Sequence, residues 1–524
     1  MKFRYKSSEE WINNFKTKID ESTKWAFAVA FFSTIICHLK FFVNNWANED
    51  SLFAPFVEQE MLGSGRWMPG NLFSRCISTI VLLIIVAIGL GFVSVMINKM
   101  FKNDNKLYAS LIAVLLTTFP VLAMSFGYSF MIERYMFGLV SSVLAVYIVD
   151  KNKYGFVIGG VLLAISLGYY QSYITVSIAL VMMMLLFKIF ESKEKKELGK
   201  EILKYMAMGI IGVGIYLFIV KVVYNIAGVE LLEYKGLDNM GSIPPFAEWP
   251  YLISRTYGHV IYFLLGKRFY NPSWIVVFAQ VYLVVLGIFL TLKVVRAGKK
   301  DRLFKIGACI FWVMIFPFAI NVLDFVMYET HLSTLNIYQF VSMFILPFLL
   351  LNYIKRRGLW KNDPYNIMEL LCLICISVVI WSDFSLTNTY YAKMEKFNEE
   401  TILVTNRILD RVERQDGVSS STKVFFGNRV GVYGLSSDTK TVYDNYITFD
   451  QGLWSPYVGY SAEQDFSDYK IHAVIKNVTG RSFEQISDEE RKDIIKSEKY
   501  ETMDAFPSED CIEQFGDILV VKLS

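Results

Sequence analysis

The chain has 524 residues, of which 54% are hydrophobic and only 19% charged, with a formal net charge of +3. Soluble domains are about 45–50% apolar and about 25% charged, whereas the mean hydropathy here is +0.38. These values exclude an ordinary soluble enzyme; the net charge says little about a partner, because the lysines and arginines are sorted by loop, and no nucleic acid is expected. The apolar excess is gathered into runs of roughly 18 to 24 residues, the length that crosses a hydrocarbon core. The sequence therefore predicts a polytopic α-helical membrane protein.

Residues 1–24 are polar, rich in Lys and Arg, and place Trp11, Ile12, Phe15 and Ile19 on one helical side. They predict a cytoplasmic amphipathic surface segment and no cleavable signal peptide. Eleven spans are expected near 25–43, 76–97, 107–126, 135–150, 154–169, 172–190, 202–224, 274–294, 304–324, 336–353 and 364–383. Lys99, Lys102 and Lys106, then Lys151 and Lys153, then Lys193, Lys195, Lys196 and Lys200 fall in every second connection. Lys293, Arg296, Lys299, Lys300 and Arg302, and finally Lys355, Arg356 and Arg357, continue the pattern. Basic loops stay inside, so the amino terminus is expected in the cytoplasm and the carboxyl-terminal segment outside a cell membrane.

The expected organisation is a transmembrane domain over 25–383 with outer loops 44–75, 127–134 and 225–273, followed by a small extracytoplasmic α/β domain over 384–524. The 225–273 connection holds Pro244, Pro245 and Pro250 and is too long to be a mere link. Its stretch Tyr251–Leu264 is amphipathic enough to lie in the interface. In the tail, Thr422–Phe426, Thr439–Tyr446, Ile471–Lys476 and Asp517–Lys522 read as strands. Helices are expected over Glu399–Gln415, closed by Gly417, and from Ser487, where Glu490 completes a capping-box pattern. The six cysteines lie mostly in apolar runs and form no disulfide framework. Cys372 and Cys375, inside a span, read as packing.

The stretch Asn44 to Trp67, between the first two spans, concentrates carboxylates, amides, an arginine and two tryptophans at a membrane surface. Acidic groups held there are costly unless they find partners or serve a purpose. Moving a sugar from a polyprenyl phosphate to a hydroxyl needs a carboxylate to take the acceptor's proton. It also needs a cation to stabilise charge on the departing phosphate. Asp50 and Glu49 answer the first need, and which of them is the base stays open. Arg66 leads the phosphate-binding candidates, with Arg134, Arg255, Lys267 and Arg268 behind it. Asn45, Trp46, Trp67, Glu133, Tyr170 and Gln171 are expected to line the substrate pocket. His38 reads as packed and hydrogen-bonded, and Asp324 as a pocket acid of undecided role. No metal-ligand spacing is present; no cofactor is required, with a divalent cation such as Mg or Mn left open.

The acidic pair after the first span, Gly65-Arg66-Trp67, and Tyr170-Gln171-Ser172 together resemble the Gtr-type glucosyltransferase family, within the wider GT-C class, over residues 25 to 380. The resemblance implies an undecaprenyl-phosphate hexose donor, of glucose type by family, and an acceptor glycan outside the cytoplasm. It implies a catalytic acid in the first outer loop, which maps onto Asp50 or Glu49. Family relatives pair two aspartates with a nearby arginine; here the pair is Glu-Asp and the arginine is more distant. An inverting hexosyltransferase for a cell-surface polysaccharide follows, working beside membrane lipid and downstream of a donor synthase and a flippase. The composition, rich in Lys, Asn, Ile and Tyr, points to a bacterial source. Competing readings are a lipid-linked sugar flippase or polysaccharide transporter, and a non-enzymatic membrane scaffold or sensor.

Overall fold

The computed structural model describes residues 20–46, 51, 58–70, 78–191, 194–229, 244–268, 272–297, 301–328, 332–359, 364–427 and 467–523. Glu49, Asp50, the amphipathic side of the amino-terminal segment and the expected Thr439–Tyr446 strand lie outside them. The chain divides into two units. One comprises Met1–Val43, Glu58–Phe126 and Met131–Thr387; the other comprises Asn44–Val57, Gly127–Phe130 and Asn388–Ser524.

The first unit is helical. Helix α1 (Glu21–Asn44) is followed by the short α2 (Glu58–Gly63) and by α3 (Thr79–Met100), whose cap Ser78 accepts from Val81 N. Asn105 caps α4 (Lys106–Thr118) in the same way. That helix stops at Phe119 because Pro120 has no N–H to donate, and the proline instead opens α5 (Pro120–Gly127). Then come α6 (Ile132–Lys151), α7 (Gly155–Tyr169), α8 (Ile174–Glu191) and α9 (Lys195–Ala227). Tyr170, extended at φ −158°, and a single 3-10 turn over Gln171–Tyr173 separate α7 from α8. A continuous apolar stretch is thus cut into two helices by one turn.

Helix α10 (Trp249–Leu264) forms over the amphipathic stretch of the long connection. It precedes α11 (Trp274–Ala297), α12 (Arg302–Ile320), the one-turn α13 (Val322–Val326) and α14 (Val341–Arg356). The span expected to reach residue 324 ends at Ile320. Asn321 breaks it and donates its side-chain amide to Thr256 O of α10 at 2.9 Å. Among the described residues, ten helices are long and apolar enough to cross a membrane, and α7 is a shorter apolar helix. This is a polytopic helical membrane protein.

The contacts sort the helix ends into two groups. At one end the chain is charged: Lys151 donates to Lys99 O at 3.3 Å, Lys188 meets Asp150 at 3.4 Å, and Lys355 meets Glu369 at 2.6 Å. At the other end lie Gly63–Met68, Gly168–Tyr173, Tyr224 and Ser333–Asn336, joined by neutral hydrogen bonds and ring contacts.

Helix α15 (Pro364–Glu413) begins in the first unit and continues into the second. In the second unit a three-stranded sheet has the order β1-β3-β2, with β1 (Lys423–Gly427), β2 (Ile512–Phe515) and β3 (Ile518–Lys522). β1 runs parallel to β3 with Lys423 opposite Ile518, and β2 runs antiparallel to it. One face buries Val424, Phe426, Leu519 and Val521 against Ile408 and Val412 of α15 and Ile471 and Ile475 of α16 (Ser467–Thr479). The opposite face packs Phe425 and Val520 on Ile494 of α17 (Asp488–Ile495) and on Tyr500 of α18 (Glu498–Thr502).

The strand expected over Ile471–Lys476 is therefore wrong: these residues are the centre of α16. Ile471, Val474 and Ile475 recur at helical spacing and make one buried face. His472 and Asp468, one turn apart, bind β1 through Val424 O (3.0 Å) and Phe426 N (2.8 Å). The capping box at Ser487 and Glu490 is present, and Gly417 adopts the left-handed φ of +75°.

Candidate functional site

The site is built on the loop that leaves α2. Gly65 N bonds Leu62 O at 2.8 Å and Arg66 N bonds Met61 O at 2.9 Å. This pair of bonds is the Schellman ending of a helix, which needs a left-handed residue at its penultimate position. Gly65 supplies it, with φ +76°. A Cβ there would also sit 2.6 Å from Tyr216 Oη and 3.0 Å from Gln171 Nε2. The helix ending therefore fixes where the next residue, Arg66, leaves the backbone.

Two helices clasp this loop. Gln171 donates to Ser64 O at 2.6 Å and lies 3.1 Å from Tyr216 Oη, and Tyr224 donates to Gly63 O at 3.2 Å. Met68 N reaches Gly168 O at 3.1 Å. The Trp67 ring packs where Gly168 has no side chain, since a Cβ there would lie 2.6 Å from Trp67 Cε2. Arg134 Nε reaches Met68 O at 3.4 Å, and its guanidinium fills the space beside Gly70. Glu133 and Arg134 are both buried.

Arg66 lies over the Tyr170 ring, 5.2 Å from its centroid. That ring is edge-on to Tyr135 (4.8 Å) and Tyr173 (5.3 Å), so three tyrosines support the guanidinium. The only side-chain hydrogen bond that Arg66 makes among the described residues is to the Met61 thioether at 3.5 Å. Its Nε is buried without a hydrogen-bond partner, and so is the neighbouring Trp67 Nε1. Buried donors are nearly always satisfied, so two orphans in consecutive residues are the unusual feature of this loop.

A second cluster involves α10 and α13. Asp324, fully buried, lies 2.7 Å from His259 Nδ1 and 3.6 Å from Arg255 Nε. Neither carboxylate oxygen makes an aligned hydrogen bond among the described residues. Arg268 Nη1 is 2.7 Å from His259 Nε2. Because a guanidinium can only donate, that nitrogen accepts, and the ring proton sits on Nδ1, facing Asp324. Arg255 also donates to Asp324 O and to Tyr328 O (3.0 Å), and Arg268 to Leu332 O (3.3 Å). On the tyrosine side, Asn336 donates to Tyr170 Oη at 3.1 Å and to Ser172 Oγ at 2.6 Å.

The expected residues thus divide. Arg66, Trp67, Arg134, Tyr170 and Gln171 converge on one loop, with Glu133 adjacent to Arg134. Arg255 binds Asp324 and the Tyr328 carbonyl, and Arg268 binds His259 and the Leu332 carbonyl. Lys267 is exposed, and its ammonium meets no described residue. Asn45 and Trp46 belong to the second unit, where Trp46 packs 6.5 Å from the Tyr391 ring. His38 is fully buried, with Nε2 2.9 Å from Thr117 O. Sequence reasoning missed Tyr216, Tyr224 and Asn336. The tyrosines recur two turns apart near the end of α9, and that spacing could have flagged them. No three His, Cys, Asp or Glu side chains converge as a metal site among the described residues.

Residues 39–352 match the model of the family described as Glucosyl transferase GtrII. The chain belongs to this family. The matched stretch contains the acidic pair, the Arg66 loop, the tyrosine column and the Asp324 cluster, so this GtrII member is a glucosyltransferase by family. The tail falls outside the match. No curated protein and no solved structure matches the chain.

Proposed function

We propose that the protein transfers a glucose-type hexose from a polyprenyl-phosphate donor to a cell-surface polysaccharide on the outer face of a bacterial cell membrane. The observation that carries this reading is Arg66, a cation with a buried, unsatisfied Nε and no carboxylate partner among the described residues, inside the family-matched region. An orphaned guanidinium over aromatic rings at a helix-bundle end suits a phosphate fixed at headgroup depth by its lipid tail.

In the proposed reaction a carboxylate of Asp50 or Glu49 takes the acceptor hydroxyl proton as the oxygen attacks C1. The C1–O bond to phosphate breaks, and its electrons leave on polyprenyl phosphate, beside Arg66. A single displacement of this kind inverts the anomeric centre. Trp67 Nε1 is the donor placed to meet a sugar hydroxyl or phosphate oxygen, with Arg134 and Lys267 as further cations. The basic helix end then faces the cytoplasm, as the loop charges require.

The test is transfer of labelled hexose from its polyprenyl phosphate to purified acceptor glycan by the protein in detergent. Detergent leaves no second compartment, so a flippase or transporter forms no glycosidic bond there. Bond formation supports the proposal; its absence with an intact, folded protein and the correct sugar series overturns it.

A further inference from the structure

At the charged end of the helical unit, away from the Arg66 loop, a cavity of about 300 Å³ is lined by Lys102, Glu191, Tyr353, Arg356 and Arg357. Three cations face one carboxylate, so the lining carries a net charge of 3 − 1 = +2. Its charges are incompletely paired. Arg357 reaches Glu191 only at 3.4 Å, and Arg356 reaches the exposed Asp104 only at 3.8 Å. The Lys102 ammonium meets no described residue.

Lys102 is held there by an unfavourable backbone. Its φ is +52°, a left-handed conformation that costs a non-glycine residue free energy. Asn352 (3.1 Å) and Arg356 (2.8 Å) of α14 both donate to its carbonyl and fix that geometry. Two side chains are thus spent on presenting a lysine whose own charge is unused.

One side of the cavity is formed by the Tyr353 ring. Tyr353 is buried, stacks beneath Arg357 at 5.4 Å, and contacts the rings of Phe187 (5.4 Å) and Phe190 (5.6 Å). Three cations beside one aromatic ring at the end of a helix bundle match a phosphate group whose adjoining carbon chain lies along the bundle. We propose that this cavity binds a phosphate-bearing anion, supplied by the headgroup of an anionic phospholipid, with Lys102 and Arg357 as the charged contacts. A soluble phosphate compound shares the anionic chemistry but makes no use of the Tyr353 ring or of the adjoining membrane.

The experiment compares delipidated full-length protein with Lys102→Gln and with Lys102→Gln/Arg357→Gln, titrated with phosphatidylglycerol, phosphatidylcholine and inorganic phosphate. Bound lipid is counted by native mass spectrometry. Lys102→Gln removes a group with no internal partner, so it tests the site without disturbing the fold. Phosphatidylglycerol is expected to bind the wild type in preference to phosphatidylcholine, and each substitution is expected to weaken it about tenfold. If inorganic phosphate binds with the same sensitivity to the substitutions and phosphatidylglycerol shows no preference, the anion site stands and its ligand is soluble. Anion binding that is absent, or equal in all three proteins, overturns the proposal.

Discussion

Arg66 in the helical unit and Lys423 in the carboxyl-terminal unit are cations used in opposite ways. Lys423 meets Glu490 at 2.8 Å and Asp517 at 3.2 Å, and Glu490 also closes the capping box at Ser487. Its charge is committed to joining the sheet to α17. Arg66 meets rings, a thioether and no carboxylate among the described residues. The comparison teaches where the chain spends charge on folding and where it holds charge for something else. A substitution at Lys423 or Glu490 should change stability alone, and one at Arg66 should change activity alone.

The sharpest way to break this contrast is Arg66→Gln. Removing one preorganised charge from a group-transfer site lowers rate about 10²–10³-fold, so hexose transfer should fall by that factor with an unchanged thermal unfolding midpoint. Arg66→Lys should recover part of the loss, because an ammonium keeps the charge but not the planar fork. Equal losses of activity and stability in both variants would make Arg66 structural.

Gly65→Ala tests whether the helix ending aims Arg66. The left-handed backbone costs a residue with a Cβ roughly 1–2 kcal/mol, and the new methyl would meet Tyr216 Oη. Transfer should drop about tenfold while the family's substrate series is kept. Gln171→Leu, which removes the bond to Ser64 O, should cost about 1 kcal/mol and a few-fold in rate. It should act through the loop, so combining it with Arg66→Gln should add little further loss.

The smallest effect concerns the tail and should leave transfer untouched. The hydrogen bond from Lys423, aided by the Ser487 backbone and hydroxyl, holds the Glu490 carboxyl down at about 2, against an ordinary 4.5. A carboxyl with a lowered folded value contributes stability above its unfolded value and loses it as pH falls toward the folded one. Proteolytic resistance of the tail should therefore decline between pH 4.5 and about 2 in the wild type. Glu490→Gln should be less resistant at pH 7 and flatter across that window; identical profiles would remove Glu490 from the account.

Much of this was legible in the sequence. Apolar length gave the spans, the Tyr-Gln-Ser stretch marked the turn between α7 and α8, and Ser487 with Glu490 marked a helix start. Arg66, Trp67, Tyr170 and Gln171 stood out by type. What failed did so for physical reasons. Ile471–Lys476 alternates enough to imitate a strand, and only its packing on β1 shows the helical face. Asn321 ends a span because its amide serves Thr256, a partner 65 residues away. The fixing of Arg66 by Gly65, Tyr216 and Tyr224 depends on contacts between α2, α9 and the turn at 171, which no local pattern encodes. The roles of Arg255 and Arg268 likewise depend on finding Asp324 and His259 beside them.

The most direct measurement is the cell-surface polysaccharide of a strain lacking this gene, complemented with wild type or with Asp50→Asn. The account predicts that a side-branch hexose is lost, that wild type restores it, and that Asp50→Asn, expressed at the same level, does not. A glycan unchanged by loss of the gene would contradict the transferase reading. Full restoration by Asp50→Asn would remove Asp50 as the base and turn the test to Glu49.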